Sequence, residues 1–132
     1  MSAGLLLVTH NRIGEDLLAT ATSMLGSHPL PAAAIAVSQN DDPDEVLARA
    51  EALCDTLDAG GGVLVITDMF GSTPSNIATR LMQNGNRRVI AGLNLPMLVR
   101  VFNYAQLPLD QLSDKAISGG HDGIMLAEIE TS

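Results

Sequence analysis

Leu5-Leu6-Leu7-Val8-Thr9-His10 opens as an unbroken apolar run and ends in two polar residues, after which a helical pattern begins. Val63-Leu64-Val65-Ile66-Thr67-Asp68 follows the same plan and opens into Met69-Phe70-Gly71-Ser72-Thr73-Pro74-Ser75-Asn76. A short apolar run bounded by turn residues fits a strand buried on both faces, as in a parallel sheet covered by helices. In such a sheet both junctions lie outside the carboxyl ends of the strands, where α/β folds bind and react. The two runs therefore set the class as α/β and put one imidazole and one carboxylate on the same edge.

Working outward, strands and amphipathic helices alternate along the chain. A strand over about Gly4 to Thr9 leads to a helix over about Gly14 to Leu25, with Ile13, Leu17, Ala21 and Leu25 on one face. Gly26 ends that helix, and a second strand runs from about Ala33 to Val37. Asp41-Asp42-Pro43 marks the next helix start, and Val46, Ala50, Leu53 and Leu57 form its apolar side. Gly60-Gly61-Gly62 breaks it before the strand Val63 to Thr67. Ser72 or Thr73 caps a third helix with Ile77, Ala78, Leu81 and Met82 inward, and Asn84-Gly85 stops it. A fourth strand spans about Arg88 to Gly92. Pro96 opens a helix buried through Leu98, Val101, Phe102 and Ala105. A short helix over about Asp110 to Ile117 is closed by Gly119-Gly120, and Ile124 to Ile129 reads as a last strand at the edge. The order predicts a three-layer α/β/α domain over residues 1–132 with a mostly parallel central sheet.

Composition narrows the function. The chain has 132 residues, 46% apolar but only 2% aromatic, and a formal net charge of −8. An acidic surface repels phosphate backbones, so nucleic acid is excluded as a partner and a basic protein is favoured, with an encounter weakened by salt. The lone Cys54 falls on an apolar helix face and reads as a buried structural thiol. No basic leader precedes the first apolar run, and no stretch approaches the ~20 apolar residues that span a bilayer. The expected compartment is the cytoplasm, without membrane insertion.

His10 alone could be an exposed polar residue at a strand end. Asp68, ending another core strand at the corresponding level, changes that reading. A carboxylate beside an imidazole accepts one ring N–H, fixes the tautomer and leaves the other nitrogen a free lone pair. The same logic serves a general base, so the pair does not by itself choose between base and nucleophile. Gly71, Ser72 and Thr73, at a helix start, supply N–H groups, hydroxyls and the positive end of a helix dipole, which attract an anion such as a phosphoryl group. One of those hydroxyls would suffice for capping alone. No Walker loop and no G-x-G-x-x-G follows a strand, and no serine elbow is present. The three histidines, His10, His28 and His121, lack metal-ligand spacing. His28 reads as a solvated turn residue and His121 as part of a loop before the last strand. Arg12 reads as a solvated side chain or a contact to a phosphoryl group or partner.

The segments Leu7-Val8-Thr9-His10, Val65 to Asn76 and Ala91-Gly92-Leu93-Asn94-Leu95-Pro96-Met97-Leu98 together resemble the enzyme IIA component of mannose-type sugar phosphotransferase systems, across nearly the whole chain. The resemblance implies a phosphocarrier that needs no metal or organic cofactor. His10 would take a phosphoryl group from the histidine-containing phosphocarrier protein and pass it to an enzyme IIB component. It further implies that Asp68 holds Nδ1 of His10 so that Nε2 attacks, and that Thr73 stands for the family's loop serine. The Asn94-Leu95-Pro96 turn would line the same rim. A homodimer is implied as well, whose last strand, antiparallel in the sheet, can be exchanged between subunits. Asn11 and Ser72 occupy positions where the family often has glycine. Two other readings differ in class: a regulatory protein whose phosphorylation state signals carbon or energy status without sugar transport, and a flavodoxin-like small-molecule binder, which the scarcity of aromatics disfavours.

Overall fold

The computed structural model describes residues 2–130. Four strands, β1 (Gly4–His10), β2 (Ala32–Val37), β3 (Val63–Thr67) and β4 (Arg87–Ala91), form one sheet in the order β2-β1-β3-β4. Every pairing is parallel. Five α-helices cover it: α1 (Ile13–Leu25), α2 (Pro43–Leu57), α3 (Thr73–Arg80), α4 (Leu95–Asn103) and α5 (Leu109–Asp122). A 3-10 turn over Leu81–Gln83 follows α3.

The unbroken apolar runs have a simple cause. Alternate side chains of a strand point to opposite faces, and here both faces are covered. Leu5, Leu7, Leu64 and Ile66 pack with residues of α1, α4 and α5. Leu6, Val8, Val63 and Val65 pack on the other side with residues of α2 and α3. Cys54 is buried in this second cluster. Among the described residues no helix is long and apolar enough to cross a membrane.

The sheet is parallel throughout. Ile124 to Ile129 form no strand, which corrects the expected antiparallel last strand for a single copy of the chain. No element of this copy covers them: Ile124, Met125, Leu126 and Ile129 are 77 to 92% exposed. A strand without a neighbour leaves its N–H and C=O groups to water, so the segment gains nothing by ordering.

Helix α5 is longer than expected and runs through Gly119-Gly120, so His121 lies in its last turn rather than in a loop. These glycines are contact points rather than stops. A Cβ at Gly119 would stand 2.5 Å from the Arg100 Cβ on α4. Their absent side chains let the two helices approach. Met82 is exposed because α3 gives way to the 3-10 turn after Arg80, which changes the residue spacing. On α1, Ala21 is buried, whereas Ile13 and Leu25 are about two-fifths exposed at the helix ends.

Candidate functional site

Strands β1 and β3 are central neighbours, with Leu7 opposite Ile66 and Val8 opposite Thr67. From β1 the chain moves outward to β2, and from β3 outward to β4. The strand order thus reverses between β1 and β3, and a crevice opens there at the carboxyl edge. His10 and Asp68 stand at that reversal.

Nδ1 of His10 lies 2.8 Å from Oδ2 of Asp68. The same oxygen accepts the backbone N–H of His10 at 3.1 Å. An ionised carboxylate only accepts, so in a neutral ring paired with it Nδ1 would carry the proton and Nε2 the lone pair. The aspartate side chain is 12% exposed and the imidazole 40%. One partner is fixed in the protein while the ring stays open to a reactant.

The turn after His10 is locked from several sides. Asn11 takes the left-handed conformation at φ 47, which Asn tolerates better than most residues, and its N–H donates to the Val37 carbonyl at 2.9 Å. The buried Thr9 hydroxyl accepts the Gly14 N–H at 2.8 Å and so caps α1 from the preceding strand. A Cβ at Gly14 would lie 3.1 Å from that hydroxyl oxygen, so the close approach favours glycine. Arg12 points to Glu15 across an exposed ion pair at 3.0 Å.

On the other side of the crevice, Gly71 adopts φ 83, a conformation glycine supplies at no steric cost. Ser72 takes φ −94 and ψ 172, open to any residue, so the loop needs no second glycine. Its hydroxyl donates to the Met69 carbonyl at 2.6 Å and accepts the Ser75 N–H at 3.4 Å. Both bonds hold the loop and cap α3. Thr73 begins α3 and, with Pro74, lines an open cleft of about 620 Å³ that also contains His10 and Asn11.

The opposite wall is Val37, Ser38, Gln39, Asp41 and Pro43. Of these, the sequence reading used Asp41 and Pro43 only as a helix start. Asp42 is that cap, accepting the Asp44 N–H at 3.0 Å. Asp41 instead accepts the Ser38 N–H at 2.8 Å. The hydrogen bonds from Ser38 hold the Asp41 carboxyl below its ordinary range. The missed signal was the polar run Ser38 to Asp42 directly after a core strand, the position that faces ligands in a parallel sheet.

Asn94 shares the sheet edge but not the cleft. It caps α4, accepting the Met97 N–H at 2.9 Å, and donates to the Gly120 carbonyl at 3.2 Å. With His121 and Ile124 it lines a separate cleft of about 220 Å³ beside β4. His28 faces the Leu30 carbonyl at 3.0 Å in its turn, away from both clefts.

Residues 4–117 match the protein family described as "PTS system fructose IIA component". Over 127 residues the chain is 29% identical to the PTS system mannose-specific EIIAB component of Escherichia coli (strain K12). That match takes in 94% of this chain and 39% of the Escherichia coli protein, so the chain spans well under half of its relative. The solved mannose/sorbose-specific IIA subunit of the phosphotransferase system from Enterococcus faecalis superposes with a TM-score of 0.87 at 27% identity, covering 100% of this chain and 99% of that one. The phosphotransferase system component EIIA from Streptococcus agalactiae shares the fold, with a TM-score of 0.80 at 23% identity and coverage of 93% and 95%.

Proposed function

Because the chain belongs to the mannose-type family of phosphotransferase-system IIA components, we propose that it is a phosphocarrier whose His10 is phosphorylated on Nε2. The observation that carries this reading is the 2.8 Å contact between Nδ1 of His10 and Asp68 beneath a half-open ring. The donor is the histidine-containing phosphocarrier protein, and the acceptor is a histidine of an enzyme IIB component. The transfer belongs to the cytoplasm and serves sugar uptake.

In the forward step the Nε2 lone pair attacks the phosphorus in line. The donor's P–N bond breaks, and its electron pair returns to the donor ring. The Nδ1 proton stays on His10, hydrogen-bonded to Asp68, whose charge stabilises the positive imidazolium that forms. Transfer to the acceptor reverses these bond changes. There is little other covalent chemistry to perform, so catalysis is positioning and charge stabilisation. Thr73 offers a hydroxyl at the positive end of α3 to the phosphoryl oxygens. Gly71 and Ser72 fix the loop that presents it.

We also assign the apolar segment Ile124 to Ile129 to contact with a second copy of the chain, as a homodimer that can exchange this segment. Its exposed isoleucines, methionine and leucine support that assignment.

The test is intact-mass measurement after mixing with phosphoenolpyruvate, enzyme I and the phosphocarrier protein. The wild type gains one phosphoryl group and loses it in acid. His10→Ala gains none while unfolding at the same temperature. Acid-labile phosphate on His10→Ala would overturn the assignment.

A further inference from the structure

Among the described residues, six glycines and one other residue adopt a left-handed backbone, and the other residue is Asn11 at φ 47. Glycine takes this conformation at no steric cost. The chain uses it at every left-handed position except the one directly after His10. There it places a side chain where the backbone alone asks for none. Non-glycine residues held in this region gather at functional sites, and the inference runs from the outlier to the role.

The backbone beneath that side chain is fixed, because the Asn11 N–H donates to the Val37 carbonyl on β2 at 2.9 Å. The carboxamide is exposed and lines the cleft with His10. No lysine or arginine lines that cleft among the described residues. Arg12, next in the chain, is paired with Glu15 at 3.0 Å. A phosphoryl group on Nε2 is therefore left to neutral donors. Of these, Ser38 is bonded to Asp41, whereas Asn11 adjoins the nucleophile on a locked turn. Donors fixed in advance stabilise charge as it develops, and asparagine side chains serve in this way. A neutral donor also suits a carrier. It holds the phosphoryl oxygens without the charge-assisted pair that would make the group harder to pass on.

We propose that Asn11 is a further catalytic residue, whose side-chain N–H donates to a phosphoryl oxygen as the group arrives on Nε2 of His10 and as it leaves. The proposal rests on the phosphocarrier reading above and deepens it by naming a residue that contacts the transferred group. The competing account is that Asn11 is present only because asparagine tolerates φ 47. That account predicts that glycine, which adopts the angle freely, serves as well or better.

The test follows phosphorylation of wild type, Asn11→Gly and Asn11→Asp by phosphoramidate, read by intact mass against time. This donor is too small to engage a protein-docking surface, so its rate reports the chemistry at Nε2. The lone pair attacks phosphorus, the P–N bond of the N-protonated donor breaks, and its electron pair leaves with ammonia. Glycine and aspartate both accept the left-handed angle, so both variants keep the fold, which melting curves verify. Asn11→Gly lacks the donor and reacts about threefold to tenfold more slowly, the net worth of one hydrogen bond. Asn11→Asp keeps the shape but sets a negative charge beside the phosphoryl oxygens, and it is slower than Asn11→Gly by about a further tenfold. Either variant reacting as fast as wild type overturns the proposal. So does Asn11→Asp reacting faster than Asn11→Gly, which would assign the glycine defect to a loosened turn. These outcomes strike the role of Asn11 alone. If wild type accepts phosphate from neither phosphoramidate nor the phosphorylated phosphocarrier protein, the phosphocarrier reading falls and the role of Asn11 falls with it.

Discussion

The carboxyl edge of β1 and β3 and the segment after α5 are opposites. At the edge, each turn of chain is tied to a neighbour. Asp68 holds His10 by two hydrogen bonds, Asn11 is tied to β2, and the N–H groups of Gly92 and Leu93 both meet the Thr67 carbonyl. After Gly123 the chain carries Ile124, Met125, Leu126 and Ile129 almost wholly in water. One region is complete within a single copy, and the other has apolar surface with nothing in that copy to cover it. The difference separates what folding of one chain achieves, an imidazole held by a carboxylate, from apolar surface that the same fold leaves exposed. Apolar area left in water is a standing cost that only a partner surface removes.

The most direct way to break the edge is Asp68→Asn. The amide can still offer one acceptor oxygen to His10, but it removes the charge that stabilises the imidazolium and can present a donor instead. The expected result is a fall in phosphorylation rate on the order of 10²–10⁴-fold, by analogy with the loss of an orienting carboxylate in a catalytic triad. Thermal unfolding should hardly move, because the pair sits at the end of strands whose core is elsewhere. Quench-flow with the phosphorylated donor, beside a melting curve, checks both halves. A normal rate would mean that Asp68 does not aim the ring.

The edge was also the more readable of the two regions. Leu5 to Val8 and Val63 to Ile66 announce strands because an apolar run this short, without alternation and bounded by turn residues, fits a strand covered on both faces. Their shared ending in a polar dipeptide placed His10 and Asp68 on one edge before any register was known. The opposite cleft wall was overlooked because Asp41-Asp42-Pro43 satisfied the rule for a helix start, and one rule hid the other. Gly119-Gly120 misled for a related reason. Glycine ends helices by its freedom, but here its lack of a side chain admits α4. The segment Ile124 to Ile129 has the composition of a strand, but composition cannot say whether its neighbour lies in the same copy.

That ambiguity can be settled by substitution. Leu126→Asp combined with Ile129→Asp puts two charges on the exposed segment. If a second copy covers it, sedimentation should show the assembly replaced by monomer, and the melting temperature should lose its dependence on protein concentration. The lost association corresponds to about 3–6 kcal/mol for two fully buried aliphatic side chains. The His10 site should still accept phosphate from phosphoramidate, since its hydrogen bonds lie within one copy. An unchanged sedimentation profile would leave the apolar segment without a partner surface in this chain.

Cys54 belongs to neither region and measures the stability of the core between them. Burial pushes its thiol up to about 11, from an ordinary value near 9. In the unfolded chain the thiol ionises first as pH rises, so unfolding gains free energy above pH ~9 and the folded state weakens until pH ~11. Below pH 9 the thiol is neutral in both states and contributes no slope. The expected loss is about 1–3 kcal/mol across that window. Denaturant titrations at several pH values, with Cys54→Ala as the reference lacking this slope, measure it. A wild-type slope equal to that of Cys54→Ala would show that the thiol ionises freely in the fold.

The smallest effect separates two adjacent hydroxyls on the loop itself. Ser72 has its oxygen engaged twice, as donor to Met69 and acceptor from Ser75, and the second bond is long at 3.4 Å. Replacing it by alanine should cost stability near the low end for a helix cap, about 0.5–1 kcal/mol, and change the chemical step little. Thr73 lines the cleft with His10, so its alanine variant should leave the melting temperature in place and slow phosphorylation by about threefold to tenfold, the net worth of one ordinary hydrogen bond. If the two variants exchange behaviours, with Ser72→Ala slow and Thr73→Ala merely less stable, the loop turns to present Ser72 when phosphate arrives. The edge would then be less completely preset within one copy than its hydrogen bonds imply.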